Sequence, residues 1–297
     1  MGKKGKKALA GKPKKLTPKD VGKRLDVLAK KLEEETKDVD LFAPPPPTED
    51  CAVCLLPLSR RTPEVRYQAC CGNEICKACF FENKESINKQ KNAGKKVAFT
   101  CPFCREPEPT SGPEYLRQIQ ARCLKDDHNA LRNLGGHYLK GDYDETPKDK
   151  LKALDYYIRA VELGSPEACG SIGIMCDEGI EVAANKERAA LFDRVGALRG
   201  SLAARHNMGC SEYGFGNYEV AIRHWKISAE AGYQPSLDCL KEIFNAYGKK
   251  PGKKFISEEY LDFATLACHE AQLEVKSEER DKYSAQYVYR DQERTWY

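Results

Sequence analysis

The sequence predicts a small metal-stabilised domain followed by an all-α helical-repeat solenoid. Eight of the 14 cysteines fall between Cys51 and Cys104, mostly as C-x-x-C pairs. From residue 130 onward, short helix-like blocks of similar sequence recur. A run of four prolines, Pro44–Pro47, separates the cysteine-rich part from a lysine-rich N-terminus. These three observations divide the chain into a leader, a small domain and a repeat array.

Length and composition fit an intracellular protein of about two domains. The chain has 297 residues, of which 41% are hydrophobic and 32% charged. No run approaches the roughly 18 apolar residues of a membrane span, so we expect no membrane partner. The N-terminus lacks the apolar segment of a secretory signal. We therefore expect the cytoplasm or the nucleus, where cysteine clusters bind metal more often than they form disulfides.

The leader, residues 1–47, is predicted to be basic and mostly disordered. Residues 1–19 hold eight lysines and no acidic residue, whereas the net charge of the whole chain is only +4. Such a tail could bind nucleic acid, anionic lipid or an import receptor, or it could simply solubilise the chain. Lysine runs without aromatic residues make a poor specific nucleic-acid site, so nucleic acid is the weaker partner.

Residues 20–37 of the leader predict one amphipathic helix. Val21, Leu25, Leu28 and Leu32 recur at spacings of three and four and share one stripe. Asp20 is the expected N-cap. We expect the stripe to dock on the protein's own body or on a partner, and the prolines then form a stiff spacer.

The cysteine spacing predicts two zinc sites. Thiolates favour zinc, and a tetrahedral zinc takes four ligands, so eight thiols supply two sites. The region shows little sign of a large apolar core, and a unit this small commonly needs metal to fold. The alternative is that the cysteines are buried small hydrophobic residues. The eight residues are Cys51, Cys54, Cys70, Cys71, Cys76, Cys79, Cys101 and Cys104.

The order of these cysteines resembles the RING finger family over residues 48–109, a region called the finger below. The resemblance implies a mixed α+β domain with two interleaved zinc ions. It assigns Cys51, Cys54, Cys76 and Cys79 to the first, and Cys70, Cys71, Cys101 and Cys104 to the second. Most RING fingers have a histidine in or next to the second pair. The sequence Cys70-Cys71-Gly72-Asn73 is instead similar to the all-cysteine variant of the retinoblastoma-binding ubiquitin ligase family, and Gly72 permits the sharp turn that adjacent ligands need.

The RING resemblance implies a function in ubiquitin transfer. RING fingers contain no nucleophile; they bind a ubiquitin-conjugating enzyme charged with ubiquitin and position it for attack. The resemblance assigns the apolar contacts to Val53 and Pro102, and the cationic bridge to Arg105. Alternatively, Val53 and Pro102 only shape the knuckles and Arg105 is solvated. Asn83 departs from the family, because many active RING fingers carry a large apolar residue there.

Residues 114–297 predict helical repeats. Ala130–Gly135 recurs as Ala168–Gly173 and Ala204–Gly209, and each block is followed by a second helix that ends at Gly164, Gly200 or Gly232. Paired helices of this kind stack because one pair cannot bury its apolar face. The pattern resembles the Sel-one-like repeat, a relative of the tetratricopeptide repeat, which implies protein binding. The repeats span about 130–164, 168–200 and 204–232, with a degenerate fourth at about 236–271 and a C-terminal cap.

Outside the finger the sequence predicts only structural residues. We expect the remaining six cysteines to be packed, His206 and His224 to be structural, and Tyr156 and Trp225 to take matching core positions. No nucleophile–base arrangement is apparent.

Two functions remain open at the level of sequence. The first is a RING-type ubiquitin ligase whose repeats hold a substrate or adaptor, an arrangement similar to predicted microalgal proteins. The alternative is a non-catalytic, zinc-stabilised scaffold for protein–protein interaction.

Overall fold

A computed structural model describes residues 16–59, 65–247 and 255–274. These residues form eleven α-helices and two short β-strands. The lysine-rich start of the leader and the predicted C-terminal cap lie outside the described residues. Among the described helices, none combines the length and apolar character that crossing a membrane requires.

The finger contains one hairpin and one helix. Strands β1 (Val65–Tyr67) and β2 (Glu74–Cys76) pair antiparallel, with Val65 opposite Cys76. Helix α2 (Lys77–Asn92) follows β2 directly, and the Cys76 sulfur accepts a hydrogen bond from the Cys79 amide at its start. Described turns outside these elements carry the first, second and last cysteine pairs.

The second half of the chain is a stack of helix pairs. Helix α3 (Gly112–Cys123) precedes the stack and buries Leu116, Ile119 and Cys123. Four pairs follow, α4 with α5, α6 with α7, α8 with α9, and α10 with α11, and each pair contacts the next. Their bounds are α4 (His128–Lys140), α5 (Lys150–Glu162), α6 (Pro166–Glu178), α7 (Lys186–Leu198), α8 (Leu202–Gly214), α9 (Tyr218–Glu230), α10 (Gln234–Tyr247) and α11 (Glu258–Glu274). Helices α10 and α11 cover most of residues 236–271, where the sequence predicts a degenerate fourth repeat.

Capping residues and glycines set the repeat boundaries. The N-caps whose side chains accept a hydrogen bond from the third helical amide are Asp127, Asp149, Ser165, Asn185 and Ser201. Gly164, Gly200 and Gly232 have φ of 100°, 103° and 94° and follow α5, α7 and α9. Their positive φ gives the left-handed turn with which helices commonly end at glycine.

Glycines on the first helices admit an aromatic ring from the second helix. A Cβ on Gly135 would lie 2.9 Å from the Tyr157 ring, and one on Gly209 would lie 2.4 Å from the Trp225 indole. Tyr157 is therefore the counterpart of Trp225. The prediction that Tyr156 holds this position is wrong by one residue, because the helix turns Tyr156 to a half-buried place beside Tyr138.

The N-terminal helix α1 (Pro18–Thr36) packs on the second helices α5 and α7. Val21, Leu25, Leu28 and Leu32 are at most 4% exposed and belong to the same core as α3–α7. The stripe thus docks on the protein's own body. Its N-cap is Thr17 and not Asp20, because Pro18 can occupy the first helical turn.

Candidate metal centres and interaction surfaces

The eight finger cysteines form two clusters of four thiols. Within each cluster all the sulfur atoms lie within 4.8 Å of one another. The first cluster holds Cys51, Cys54, Cys76 and Cys79, and the second holds Cys70, Cys71, Cys101 and Cys104. The two sets are the interleaved sets that the family resemblance implies.

The sulfur spacings fit a tetrahedral metal ion. Zinc–sulfur bonds of about 2.3 Å place the sulfurs about 3.8 Å apart in a tetrahedron. The Cys54–Cys76 and Cys71–Cys101 sulfurs are 4.0 Å apart, and the Cys70–Cys104 sulfurs are 3.5 Å apart. All cysteines of the chain are free thiols. Both clusters could therefore hold a metal ion.

The first and last cysteine pairs lie in two knuckles of the same geometry. The amide of Cys51 donates to the Leu56 carbonyl and that of Cys101 to the Glu106 carbonyl, both at 2.8 Å. Leu55 and Arg105 occupy the same place, with φ of 57° and 65°. These left-handed turns let each knuckle fold back over its own sulfurs.

The second and third pairs are positioned by the hairpin. Gly72, with φ of 81°, turns the chain directly after Cys70 and Cys71, and its amide donates to the Gln68 carbonyl at 2.7 Å. The Cys76 amide donates to the Cys51 sulfur at 3.3 Å. Hydrogen bonds from the Cys76 and Cys79 thiols hold the pKa of Cys51 well below its usual range. The first cluster thus stabilises a thiolate, the form that ligates metal.

Apart from its cysteines, the buried core of the described part of the finger is small. The other buried members of its cluster are Leu58, Ile75, Ala78 and Phe80. Four such side chains provide little burial against the entropy of ordering about sixty residues. A metal ion in each thiol cluster would supply stability that this small core lacks.

The finger exposes an apolar surface on its knuckles. Val53, Leu55 and Phe103 are 41%, 73% and 50% exposed, and Arg105 is exposed beside them. Pro102 is buried. The sequence analysis did not identify Leu55 and Phe103 as surface residues. An alignment of the two knuckle sequences would have done so, because Phe103 is equivalent to Val53 and Leu55 is equivalent to Arg105.

Asn83 forms a polar tie within the finger. Its Nδ2 donates to the Thr100 carbonyl at 2.7 Å and joins α2 to the last knuckle. Nearby, the ammonium groups of Lys84 and Lys91 lie 5.6 and 3.6 Å from the centre of the Phe99 ring. Two of the five lysines between residues 83 and 96 therefore pack on an aromatic ring.

A buried polar contact fixes the finger to the repeats. The Tyr67 hydroxyl donates to the Asp127 carboxylate at 2.8 Å, and the Arg122 Nε donates to the same oxygen at 2.9 Å. Burial, followed by the Asp127 contact, raises the pKa of Tyr67 well above its usual range. A Cβ on Gly72 would clash with the Arg122 guanidinium, so the finger approaches α3 at its glycine turn.

Residues 37–43, called the strap below, are held on the repeats ahead of the finger. Arg205 is 1% exposed, and its guanidinium donates to the Leu41 carbonyl at 2.6 Å and to the Ala43 carbonyl at 3.5 Å. The Arg223 guanidinium lies 3.5 Å from the centre of the Phe42 ring, and His224 stacks on the same ring at 5.0 Å. The chain is thus anchored to the repeats before the finger begins, while Tyr67 anchors the finger itself.

The first helices of the repeats also present side chains to solvent. Ile174 on α6 is 51% exposed and directly follows Gly173, and Cys210 on α8 is exposed and directly follows Gly209. The two residues occupy the same position in successive repeats. Since α1 covers second helices, this face is a separate surface.

The prediction that the six remaining cysteines are packed is wrong for Cys210. Its sulfur lies 3.4 Å from His206 Nε2, and His206 Nδ1 lies 3.0 Å from the Ser236 hydroxyl. Hydrogen bonds from Cys239 and His206 lower the pKa of Cys210 to about 4. The structure thus contains a nucleophile–base pair that the sequence analysis did not identify, although the four-residue spacing of His206 and Cys210 on one helix was its signal.

Comparison with known proteins identifies the repeats. The family model described as Sel1 repeat matches residues 128–165 and 202–233. The chain therefore carries Sel1 repeats, and these matches lie outside the finger. A search of curated proteins found no match.

Similar helical stacks occur in solved bacterial structures. A Sel1 repeat protein from Oxalobacter formigenes is 22% identical, with 64% of this chain and 73% of that chain covered and a TM-score of 0.45. A protective antigen of uropathogenic Escherichia coli with an SLR fold is 18% identical, with coverage of 66% and 40% and a TM-score of 0.44.

Proposed function

We propose that the protein is a scaffold for protein–protein interaction that holds two binding surfaces in fixed relation. One observation carries the proposal. The finger contacts the repeats directly through Tyr67 and Asp127, and the strap that precedes it is held on the repeats by Arg205. A linker would let two binding modules move independently, whereas this arrangement sets the distance between them.

The first of the two binding surfaces lies on the repeats, and the second consists of the exposed knuckle side chains of the finger. Sel1 repeats are helix pairs that can present an extended face, and the first-helix face around Ile174 is the part that α1 leaves uncovered. Extended faces of stacked helix pairs are the surfaces that helical-repeat proteins use to bind partners. A protein partner is therefore the occupant that this surface suits.

Zinc is the metal that we propose for the finger. Four thiolates in a tetrahedron are the ligand set that structural zinc prefers, and two such sets imply two ions per chain. Bound zinc would close the long loops between the cysteine pairs, and its role would be structural because four protein ligands leave no open position.

Binding by the full-length protein tests the scaffold. Partners captured by cross-linking are purified, and their Kd for the zinc-loaded chain is measured by calorimetry. Ile174→Asp is expected to weaken one partner at least tenfold, since it places a charge in an apolar contact. Phe263→Asp on α11 is the matched control, because Phe263 is equally exposed on a second helix.

The outcome against the scaffold is equally clear. Equal affinity of the wild type and Ile174→Asp for every purified partner, with the control also unchanged, would remove the first-helix face from the proposal.

A ubiquitin ligase is the second candidate, and the exposed knuckle surface favours it. Val53 and Phe103 project from matching knuckles, and Arg105 lies beside them. In this mechanism the finger supplies no nucleophile. The apolar side chains hold a conjugating enzyme, and the planar guanidinium of Arg105 bridges the enzyme and ubiquitin through several donors.

Ubiquitin discharge separates the two candidates. The zinc-loaded chain is mixed with a panel of charged conjugating enzymes, and loss of the thioester is followed with free lysine as the acceptor. A ligase would accelerate discharge, and Arg105→Ala would slow it at least tenfold, whereas Arg117→Ala on the exposed face of α3 would not. Partner binding without any accelerated discharge would leave the scaffold alone.

A further inference from the structure

A thiol–imidazole cluster lies on the repeats, away from the finger. Cys210 and His206 are one turn apart on α8, and on α10 Cys239 lies one turn after Ser236, whose hydroxyl is 3.0 Å from His206. Cys210 is exposed, whereas Cys176, a cysteine of the preceding first helix, is fully buried. Solvent can therefore reach the sulfur of Cys210.

The imidazole is held in place to interact with the thiol. His206 Nε2 lies 3.4 Å from the Cys210 sulfur, while Nδ1 lies 3.0 Å from the hydroxyl of the buried Ser236. The Tyr233 ring, centred 5.5 Å from the imidazole, limits its rotation. A thiol, a base and a third group that orients the base is the arrangement that activates a cysteine.

The charges around the cluster favour a thiolate at Cys210 and a thiol at Cys239. Hydrogen bonds from Cys239 and from His206 on the same helix lower the pKa of Cys210 to about 4. The contact with Cys210 and burial raise the pKa of Cys239 well above its usual range, and Glu242 and Asp238 on α10 add to this effect. Negative charge at Cys210 also contributes to the raised pKa of Asp193 on α7, for which burial is the largest cause.

We propose that Cys210 and Cys239 are a redox-sensitive thiol pair, in which a hydroperoxide oxidises Cys210 and the two residues then form a disulfide between α8 and α10. The inference is independent of the scaffold function. Its consequence would be a covalent link between the third and fourth helix pairs at the first-helix face, next to the surface proposed to bind a partner.

The chemistry balances with a hydroperoxide as the only oxidant. The Cys210 thiolate attacks the outer oxygen, a sulfur–oxygen bond forms and the oxygen–oxygen bond breaks. The leaving alkoxide, or hydroxide from hydrogen peroxide, takes a proton from the His206 imidazolium, and Cys210 becomes a sulfenic acid. The Cys239 thiol then attacks that sulfur and water leaves with the thiol proton. Sulfur is oxidised and the peroxide is reduced.

Peptide mapping of the zinc-loaded, full-length protein tests the pair. After brief treatment with equimolar hydrogen peroxide, non-reducing mass spectrometry should show a Cys210–Cys239 peptide that has lost two hydrogens and that a dithiol restores. Cys239→Ala should instead accumulate a dimedone-reactive sulfenic acid at Cys210. Cys176→Ala, which changes a buried cysteine, should behave as the wild type.

The alkylation rate of Cys210 gives a readout that a merely structural residue would not. An ordinary thiol of pKa about 8.5 reacts roughly tenfold more slowly for each pH unit below its pKa. Cys210 should react at a nearly constant rate between about pH 6 and about pH 8, and His206→Asn should restore the steep dependence. A steep profile in the wild type, or oxidation confined to the finger cysteines while Cys210 and Cys239 stay reduced, would overturn the proposal.

Discussion

The hydroxyl of Tyr67 donates a 2.8 Å hydrogen bond to the carboxylate of Asp127, and this bond links the β-hairpin of the finger to the first residue of the repeat stack. Asp127 also caps α4 and pairs with Arg122. One carboxylate thus serves the finger, α3 and α4 together.

Replacing Asp127 is expected to destabilise the protein more than the loss of a helix cap alone. Asp127→Ala removes a cap worth about 1 kcal/mol and leaves Tyr67 and Arg122 without their partner, at about 1–3 kcal/mol more. Asp149→Ala is the matched control, because it removes only the cap of α5. Chemical denaturation should show the larger loss for Asp127→Ala; equal losses would mean that the finger contact contributes nothing.

Arg205 is expected to be the main anchor of the strap. Arg205→Ala leaves the Leu41 carbonyl without its donor and opens a cavity under the strap, at a cost of about 3 kcal/mol. Amide hydrogen exchange in residues 37–43 should rise sharply. Arg223→Ala removes a cation–π contact worth about 1 kcal/mol at an exposed site and should have a small effect. Unchanged exchange in Arg205→Ala would contradict the anchoring role.

Metal removal is expected to unfold the finger and to leave the repeats helical. The finger has few buried side chains of its own, whereas the repeats share a large core. Native mass spectrometry should detect two zinc ions per chain, and chelation should abolish finger structure with most of the far-ultraviolet helical signal retained. Loss of the whole helical signal would show that the repeats also depend on the metal.

Asp193 is expected to make stability depend on pH. Burial on α7 raises its pKa to about 7, and the structure thereby disfavours the charged carboxylate. A folded pKa above the unfolded value of 3.8 gives a penalty that is absent below about pH 4, grows as the pH rises and is complete above about pH 7.

Asp193→Asn isolates this effect. The variant should be more stable than the wild type at pH 8, by at most about 4 kcal/mol, and the advantage should disappear near pH 4. Glu219→Gln, at an exposed position on α9, should differ from the wild type in stability by an amount that does not change with pH. A stabilisation by Asp193→Asn that does not change with pH would exclude titration as its cause.

The sequence predicted those features whose signal is local or periodic. The cysteine pairs, the stripe from Val21 to Leu32 and the repeat glycines are each visible within a short window, because helix period and turn geometry act over a few residues. The structure accordingly has the two thiol clusters, the N-terminal helix and four helix pairs at the expected places.

Features that depend on distant residues could not be read in this way. The partner of Leu41 is Arg205, and that of Tyr67 is Asp127, so no spacing rule connects them. The exposure of Cys210 follows from where α8 lies in the stack, and the site is completed by Ser236 and Cys239 from another helix pair. The tertiary packing of the chain decides which face of a predicted helix is covered, and no local sequence pattern shows it.

The strap also has a consequence for the order in which the chain folds. Its carbonyl groups at Lys37 and Leu41 bind Arg194 and Arg205, which lie 157 and 164 residues later. During synthesis the finger emerges first and could bind its metal while these arginines are still unmade. Closing so long a loop is entropically costly and slow. The strap should therefore remain undocked until α8 has been synthesised, whereas the finger meets its partner Asp127 as soon as α4 is made.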